Sequence, residues 1–480
     1  MNRKILSDIE PKNVMRFFEA LSAVPRGSGK TAAATAFCVG FAKQRGLRYY
    51  TDSTGNVVIY KGGSAGRENE TPVIIQGHLD MVWEKEAGSD FDFETQGLNL
   101  EVNGDYISAA GTTLGGDDGI AVAMALAVLD DDSLSHPPVE AVFTVDEETS
   151  MVGASALDAG VLSGRRMLNI DSEEEGTLLV SCAGGARVDI LFDGSLTEAG
   201  GDAFKITLGG LHGGHSGTEI DKGYASANKL MGEVLAALYD NCDYFIADIN
   251  GGTMDNAITR ECSCVIFTEN PQSVYEIIGG LNNEFKRRYS ETEPTLSLKV
   301  SPREAAGKCF DSASSKTLAY LLNELPWGVI SMSKKIENLV ETSLNLGVLR
   351  TDDATVSATF AVRSGVDSEK EKLIKELESI AAEFGADMKV YGEYPAWEFT
   401  ENSPLQKTMT DVFYEMYGGK MNVAAIHAGL ECGIFCGKIK GLDCVSFGPD
   451  ILEIHTPRER LSISSVERTW RYLIKVLERI

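Results

Sequence analysis

The chain is expected to be an α/β protein, a mixed, mostly parallel sheet flanked by helices and interrupted by an inserted α+β domain. Three observations predict this. At 480 residues it exceeds what one core ordinarily holds, so two domains are expected. Strand-like and helical patterns alternate up to about Gly185, the order that builds a parallel sheet covered by helices. A different mixture of strands and amphipathic helices follows, and buried strand character resumes only at Val445-Ser-Phe447. His455, a candidate ligand, lies beyond that second domain, which an insertion explains better than two domains in tandem. The expected boundaries are 1–187 and 398–480 for the interrupted domain and 188–397 for the insertion.

Taken in order, residues 11–48 read as helix, from Pro11 through Val14, Phe17, Phe18 and Leu21, then Ala32–Arg45. Strands are expected at Val57–Tyr60 and Val73–Ile75. Gly119–Leu129 is apolar all round, as a buried helix would be. Beyond Arg187, Val188–Phe192, Ala203–Leu208, Cys262–Phe267 and Thr295–Val300 read as strands. Ser226–Tyr239 and Ser273–Glu291 read as amphipathic helices between them. Val356–Val362, Lys370–Phe384 and Asp387–Tyr391 continue that pattern, and Leu405–Tyr417 reads as helix.

Hydrophobic residues make up 43% and charged residues 24%, an ordinary globular composition. A formal net charge of -27 argues against a nucleic-acid partner, because phosphate contact needs clustered Lys and Arg, and against an anionic membrane surface. No apolar run approaches the roughly 18 residues of a spanning helix. The opening Met1-Asn-Arg-Lys-Ile-Leu-Ser lacks the apolar stretch of a secretory signal. Nine cysteines follow no framework spacing, and Cys262 and Cys264 would share one strand face instead of forming a zinc knuckle. Reduced thiols in a cytosol are expected.

Four strand-like runs end in potential metal ligands. They lead into His78-Leu-Asp80, Asp146-Glu147-Glu148, Asp171 and, after Cys444-Val-Ser-Phe-Gly, towards His455. Open α/β sheets gather ligand sites at the carboxyl ends of their strands, so one metal site built from distant segments is expected. Asp117, within Gly111-Thr-Thr-Leu-Gly-Gly-Asp-Asp-Gly119, is a further contributor. Two His with carboxylates suit Zn²⁺, Mn²⁺ or Co²⁺. His78 and Asp80 share a strand face, so Asp80 could accept the free imidazole N–H or hold the backbone. Asp146-Glu147-Glu148 reads either as a solvated turn or as a metal ligand beside a general base. Asp117 and Asp118 pose a similar choice. Gly209-Gly-Leu-His-Gly-Gly-His-Ser-Gly217 lacks the P-loop pattern, and reads as a tight turn or as a loop offering an imidazole to a developing oxyanion. Asn256 and Arg363 carry weaker patterns, although an Arg fork suits a substrate carboxylate. His427 and Glu431, four apart, could share a helix face.

Several motifs also occur in a telling order: Gln76-Gly-His-Leu-Asp-Met-Val82, the Gly111–Gly119 stretch, Asp146-Glu-Glu148, Asp171-Ser-Glu-Glu-Glu-Gly176 and Gly213-Gly-His-Ser-Gly217. Gly251-Gly-Thr with Asn256-Ala, Glu341-Thr-Ser-Leu-Asn345, Ile426-His-Ala-Gly-Leu-Glu-Cys432 and Ser446-Phe-Gly-Pro449 with His455-Thr-Pro457 complete the set. Over almost the whole chain this resembles the aminoacyl-histidine dipeptidases (peptidase D, Xaa-His dipeptidases), which stand with carnosinases, aminoacylases and glutamate carboxypeptidases among the two-metal peptidases. The resemblance implies a zinc-peptidase-like catalytic domain interrupted by a lid, two Zn²⁺ per subunit with Mn²⁺ or Co²⁺ as substitutes, and unblocked dipeptide substrates, Xaa-His and β-alanyl-histidine types preferred. By resemblance His78 and Asp171 bind one metal, Glu148 and His455 the other, and Asp117 bridges them. Asp80 orients His78, and Glu147 is the general base. His215 matches the lid histidine that, in related dimeric enzymes, reaches a neighbouring active site to polarise the scissile carbonyl. Asn256, Arg363 and the Gly429 loop fall where relatives hold the C-terminal half of the substrate. A homodimer through the lid and a cytoplasmic location are also implied. Asp118, Thr218 and Arg458-Glu-Arg460 depart from the pattern, which bears on substrate range and leaves the ligands intact. Two alternatives are an N-acyl-amino-acid deacylase or tripeptidase of the same family, and a non-catalytic metal-binding protein. The presence of both Glu147 and Asp117 counts against the latter.

Overall fold

The computed structural model describes residues 5–304 and 307–480. Its contacts divide the chain into two compact units. One comprises Met1–Cys182, Phe399–Ala425 and Leu430–Ile480, the other Ala183–Glu398 with Ile426–Gly429. The first division falls ahead of the composition change at Arg187, because the strand Gly184–Asp193 already pairs from Gly184, opposite Ser364.

In the first unit the centre of an eight-stranded sheet is parallel. Val139–Thr144, Val73–His78, Arg166–Asn169 and Asp443–Ser446 lie side by side in that order. Arg48–Thr51 and Val57–Lys61 extend one edge antiparallel, and Thr177–Cys182 pairs antiparallel with Asp443–Ser446 on the other side. Val73–His78 and Val139–Thr144 are buried at every position, as parallel strands covered on both faces must be. The register sets His78 opposite Thr144 and Gln76 opposite Asn169, so the carboxyl ends of these strands are level. Within the helix Gly116–Asp130 the expected stretch Gly119–Leu129 is buried throughout, which accounts for its apolar sequence, while Asp117 and Asp118 ahead of it depart from helical backbone angles. Helix Ile463–Arg479 contributes Val466, Leu473, Val476 and Leu477 to the same core. Each such side chain stabilises the fold by about 1.5–3 kcal/mol relative to exposure. The expected helix over 11–48 is two helices, Lys12–Ser22 and Ala32–Arg45. Pro25, Gly27 and a left-handed Gly29 (φ 78°) interrupt it.

The second unit holds an antiparallel nine-stranded sheet. Its order is Ser297–Pro302, Asp202–Gly209, Cys262–Thr268, Phe245–Gly251, Val340–Asp352, Thr355–Ser364, Gly184–Asp193 and Asp387–Tyr394, with Gly328–Met332 added against Val340–Asp352. The strand Gly184–Asp193 shows the one-sided burial of an antiparallel sheet, with Val188, Ile190 and Phe192 inward and Arg187 and Asp193 exposed. Helices Ala227–Tyr239, Ser312–Glu324 and Asp367–Glu383 share a core with the inward set, through Leu230, Val234, Leu318, Leu322, Leu373 and Leu377. Neither Val340–Asp352 nor Ser312–Glu324 is evident from sequence periodicity.

Candidate metal centre

The strand ends of the first unit bring five of the expected residues into one cluster. His78, the last residue of its strand, is buried. Its Nε2 lies 3.0 Å from Asp117 Oδ1 and 3.4 Å from Asp171 Oδ1. Asp117 turns its other oxygen to the second histidine, with Oδ2 3.2 Å from His455 Nε2. His455 Nε2 is also 3.0 Å from Glu148 Oε2. One carboxylate thus divides its two oxygens between two imidazoles, each with a further carboxylate beside it. Asp118 joins the first group, since atoms of His78, Asp118 and Asp171 lie within 4.8 Å of one another. Atoms of His78, Asp117 and Glu148 meet the same limit. A Cβ on Gly77 would sit 2.5 Å from Asp118 Oδ2, so this strand position must be glycine for Asp118 to approach. His455 and Asp146 both adopt the left-handed backbone region, at φ 59° and 56°. Non-glycine residues are uncommon there and gather at functional sites.

Asp80 links the two kinds of group. Its side chain lies 3.4 Å from His78 Nδ1, and its main-chain oxygen 3.2 Å from the same nitrogen. The carboxylate also accepts the backbone N–H of Glu147 (3.1 Å) and Glu148 (3.3 Å) and the hydroxyl of Ser28 (2.9 Å). It therefore faces the imidazole while anchoring the turn that carries Glu147.

The electrostatics are those of acids gathered beyond what they can themselves neutralise. Burial works against a charged His78, yet hydrogen bonds with Asp117, Asp171 and Asp80 outweigh it and hold the imidazole well above its usual range. His455 is pushed up to about 10 by Asp117 and Glu148. Burial raises Glu147 well above the usual carboxylate range, and the charges of Asp171, Glu431 and Glu148 add to it. Burial also raises Asp171 and Glu148, and pushes Glu173 up to about 8. Nitrogen and carboxylate donors gathered at this spacing could hold divalent cations.

Sequence reasoning missed the support behind these strand ends. Glu431 is completely buried and accepts from Gln76 Nε2 and Thr144 Oγ1, both at 2.6 Å. Gln76 in turn accepts from Asn169 Nδ2 at 2.6 Å. Burial pushes Glu431 up to about 7. Polar Gln76 inside one buried strand, with Thr144 and Asn169 closing two others, is the clue the sequence offers. His427 and Glu431 do not share a helix face, because the helix Glu431–Lys438 begins after His427.

The second unit gathers its own group. His215 Nδ1 accepts the backbone N–H of Thr218 (3.1 Å) and of Gly217 (3.3 Å), which leaves Nε2 to carry the proton of the neutral ring. Burial and then the charge of Arg363 lower its pKa. Asn256 accepts from Ser216 N at 2.9 Å through its main-chain oxygen. Arg363 Nη1 donates to Tyr394 Oη at 3.2 Å. A Cβ on Gly429 would lie 2.8 Å from the Tyr394 ring, so the glycine lets that ring in. His427 Nε2 is 2.7 Å from Ser343 Oγ, and burial with Arg363 and His215 lowers the ring to about 3. A neutral N–H donor and a guanidinium in one neighbourhood can receive a carbonyl oxygen and a carboxylate. The sequence singles out no role for Tyr394 or Ser343, and offers His427 only as a helix-face neighbour of Glu431.

The chain matches the description "Peptidase family M20/M25/M40" over residues 74–479. It is 36% identical over 479 residues to the cytosol non-specific dipeptidase of Escherichia coli (strain K12), covering 99% of each chain. Among solved structures, the aminoacylhistidine dipeptidase of Vibrio alginolyticus superposes with a TM-score of 0.91 at 35% identity, over 99% of this chain and 98% of that one. The aminopeptidase PepT of Bacillus cereus shares the fold, with a TM-score of 0.57 at 16% identity over 98% of each chain.

Proposed function

Because the chain belongs to peptidase family M20/M25/M40 and is a metallopeptidase acting on peptide bonds, we propose that it is a two-zinc dipeptidase preferring Xaa-His substrates. The observation that carries this reading is the division of Asp117 between His78 and His455. His78 and Asp171 would hold one Zn²⁺, Glu148 and His455 the other, with Asp117 between them. Bound there, the ions supply Lewis acidity, which lowers the pKa of a water and polarises a carbonyl. Glu147 takes the proton of the attacking water on its carboxylate and delivers it to the leaving amine nitrogen. Asp80 keeps the His78 ring oriented through Nδ1 and holds the Glu147 backbone. His215 would polarise the carbonyl oxygen by a hydrogen bond from its Nε2–H, keeping the proton, and Arg363, with Asn256 and the Gly429 loop, would receive the C-terminal half of the substrate.

The likeness to the aminoacylhistidine dipeptidase supports the histidine preference. The printed name of the Escherichia coli relative, a non-specific dipeptidase, favours a wider dipeptide range as the second reading. A homodimer in the cytosol completes the proposal, and among the described residues no helix is long and apolar enough to cross a membrane. The test measures zinc content beside cleavage of β-Ala-His, Gly-His, a dipeptide without histidine, a tripeptide and an N-acetyl amino acid. Fastest turnover of the histidine dipeptides is expected, and preferred hydrolysis of the tripeptide or the N-acetyl amino acid overturns the reading. Glu147→Ala should retain zinc and lose nearly all turnover; an active Glu147→Ala protein removes the general base.

A further inference from the structure

Two buried, charged residues have no part in the scheme above, and both grip the loop that presents Asp117. Glu459 is 2% exposed. Its Oε2 accepts the N–H groups of Leu114 (2.7 Å) and Gly115 (2.9 Å), and its Oε1 accepts that of Gly116 (2.7 Å). The N–H of Asp117 lies at a longer 3.4 Å from the same Oε1. Successive amides turned towards one carboxylate form an anion nest, and here the chain fills it with its own side chain.

Arg26, also 2% exposed, holds the loop from the opposite polarity. Its Nη2 donates to the Gly115 carbonyl, and its Nη1 to the carbonyls of Leu79 (3.1 Å) and Asp80 (3.0 Å). One guanidinium therefore joins the segment carrying His78 and Asp80 to the loop carrying Asp117. The glycines make room for it. A Cβ on Gly115 would lie 2.4 Å from Arg26 Nη2, and one on Gly119 2.5 Å from it. Gly115 further requires φ 62°.

We propose that Arg26 and Glu459 are positioning residues for the shared ligand Asp117, clamping the backbone of Leu114–Asp117 so that both carboxylate oxygens are aimed before any cation arrives. The inference rests on the two-metal reading. A carboxylate shared by two ions must meet two geometries at once, so a small rotation of its backbone weakens both. Outer partners of metal ligands typically govern affinity or activity by about 10- to 100-fold.

The test is zinc affinity by chelator competition, on metal-free protein whose fold is checked by circular dichroism and melting. Glu459→Gln keeps the shape but puts an amide N–H₂ against backbone N–H groups. It is expected to weaken zinc about 10- to 100-fold at both positions and to lower kcat more than it raises KM. Arg26→Lys keeps the charge and loses the fork, and should weaken zinc in the same direction. If Glu459→Gln does not fold, Arg26→Lys carries the test. In the wild type, the amides of Leu114–Gly116 should exchange slowly without metal; fast exchange there overturns the proposal with no variant needed. A wild type that binds two zinc ions and folded variants that bind both as tightly would sink the positioning role alone. A wild type that binds no divalent cation would sink the two-metal reading, and this inference with it.

Discussion

Asp80→Asn isolates what one buried carboxylate does for this site. Its Oδ1 receives the Glu147 N–H and faces His78 Nδ1, while its Oδ2 receives the Glu148 N–H and the Ser28 hydroxyl. An asparagine keeps one of these oxygens. With the oxygen towards Glu147, only the Glu148 N–H loses its acceptor, because Ser28 can turn to Met81 O, 3.2 Å away. One orphaned buried donor costs about 1–3 kcal/mol. The opposite rotamer strands the Glu147 N–H and removes the acceptor facing the imidazole, so the first is preferred. The main-chain oxygen of Asp80, 3.2 Å from Nδ1, still holds the His78 tautomer. Zinc binding should therefore fall modestly, while the Glu147 turn loosens and kcat drops by about 10- to 100-fold. Melting should come down by about 1–2 °C for each kcal/mol lost, as expected for a chain of this length. Matched assays of melting, zinc affinity and kcat on the purified variant decide it. Wild-type kcat in folded, zinc-loaded Asp80→Asn would refute the link between this carboxylate and the base.

Three further expectations follow from the same structure. His215→Ala should lower kcat far more than it changes zinc affinity, since the residue supplies a neutral Nε2–H donor and no metal ligand; unchanged kcat removes its role. Gly115→Ala should destabilise the protein by about 1–3 kcal/mol, from left-handed backbone strain and overpacking against Arg26, and should weaken zinc; melting and chelator titration check it. His427 is held near 3 in the folded protein against an ordinary 6.5, so folding disfavours its charged form. Its contribution is complete above about pH 6.5 and is lost as pH falls towards 3, at up to about 1.4 kcal/mol per pH unit. Melting of His427→Gln should accordingly decline less than that of wild type between pH 6.5 and 4; parallel declines would show that the ring does not titrate there.

How far the fold could be read depended on how each segment is buried. Gly119–Leu129 was legible because a helix apolar on every side has few other places to go; that the helical segment starts three residues earlier, at Gly116, was not. Val340–Asp352 was not, because its buried positions include Thr342, Ser343 and Asn345. Those side chains find partners in Ser364, His427 and the carbonyls of Asp255 and Ala257, none of them local. The break between the first two helices was visible as Pro25, Gly27 and Gly29, yet the flanking helical spacing reads straight through it. At the site, His78, Asp117, Glu148, Asp171 and His455 could be named because each closes or follows a strand-like run or a glycine turn. Glu459 could not be told from the other acids of a chain carrying 71 Asp and Glu.

The chain by itself determined the strand and helix periods, the kinds of donor at the strand ends, and the family likeness, because these are local patterns of polarity and residue type. Tertiary packing alone decided that Asp117 meets both His78 and His455, that Asp80 serves an imidazole and the Glu147 turn together, and that Tyr394 lies against Gly429. The physical reason is reach. A residue's own neighbours set its conformational preference, whereas the partner of a buried charge is chosen by whichever distant segment the core brings within about 3 Å of it.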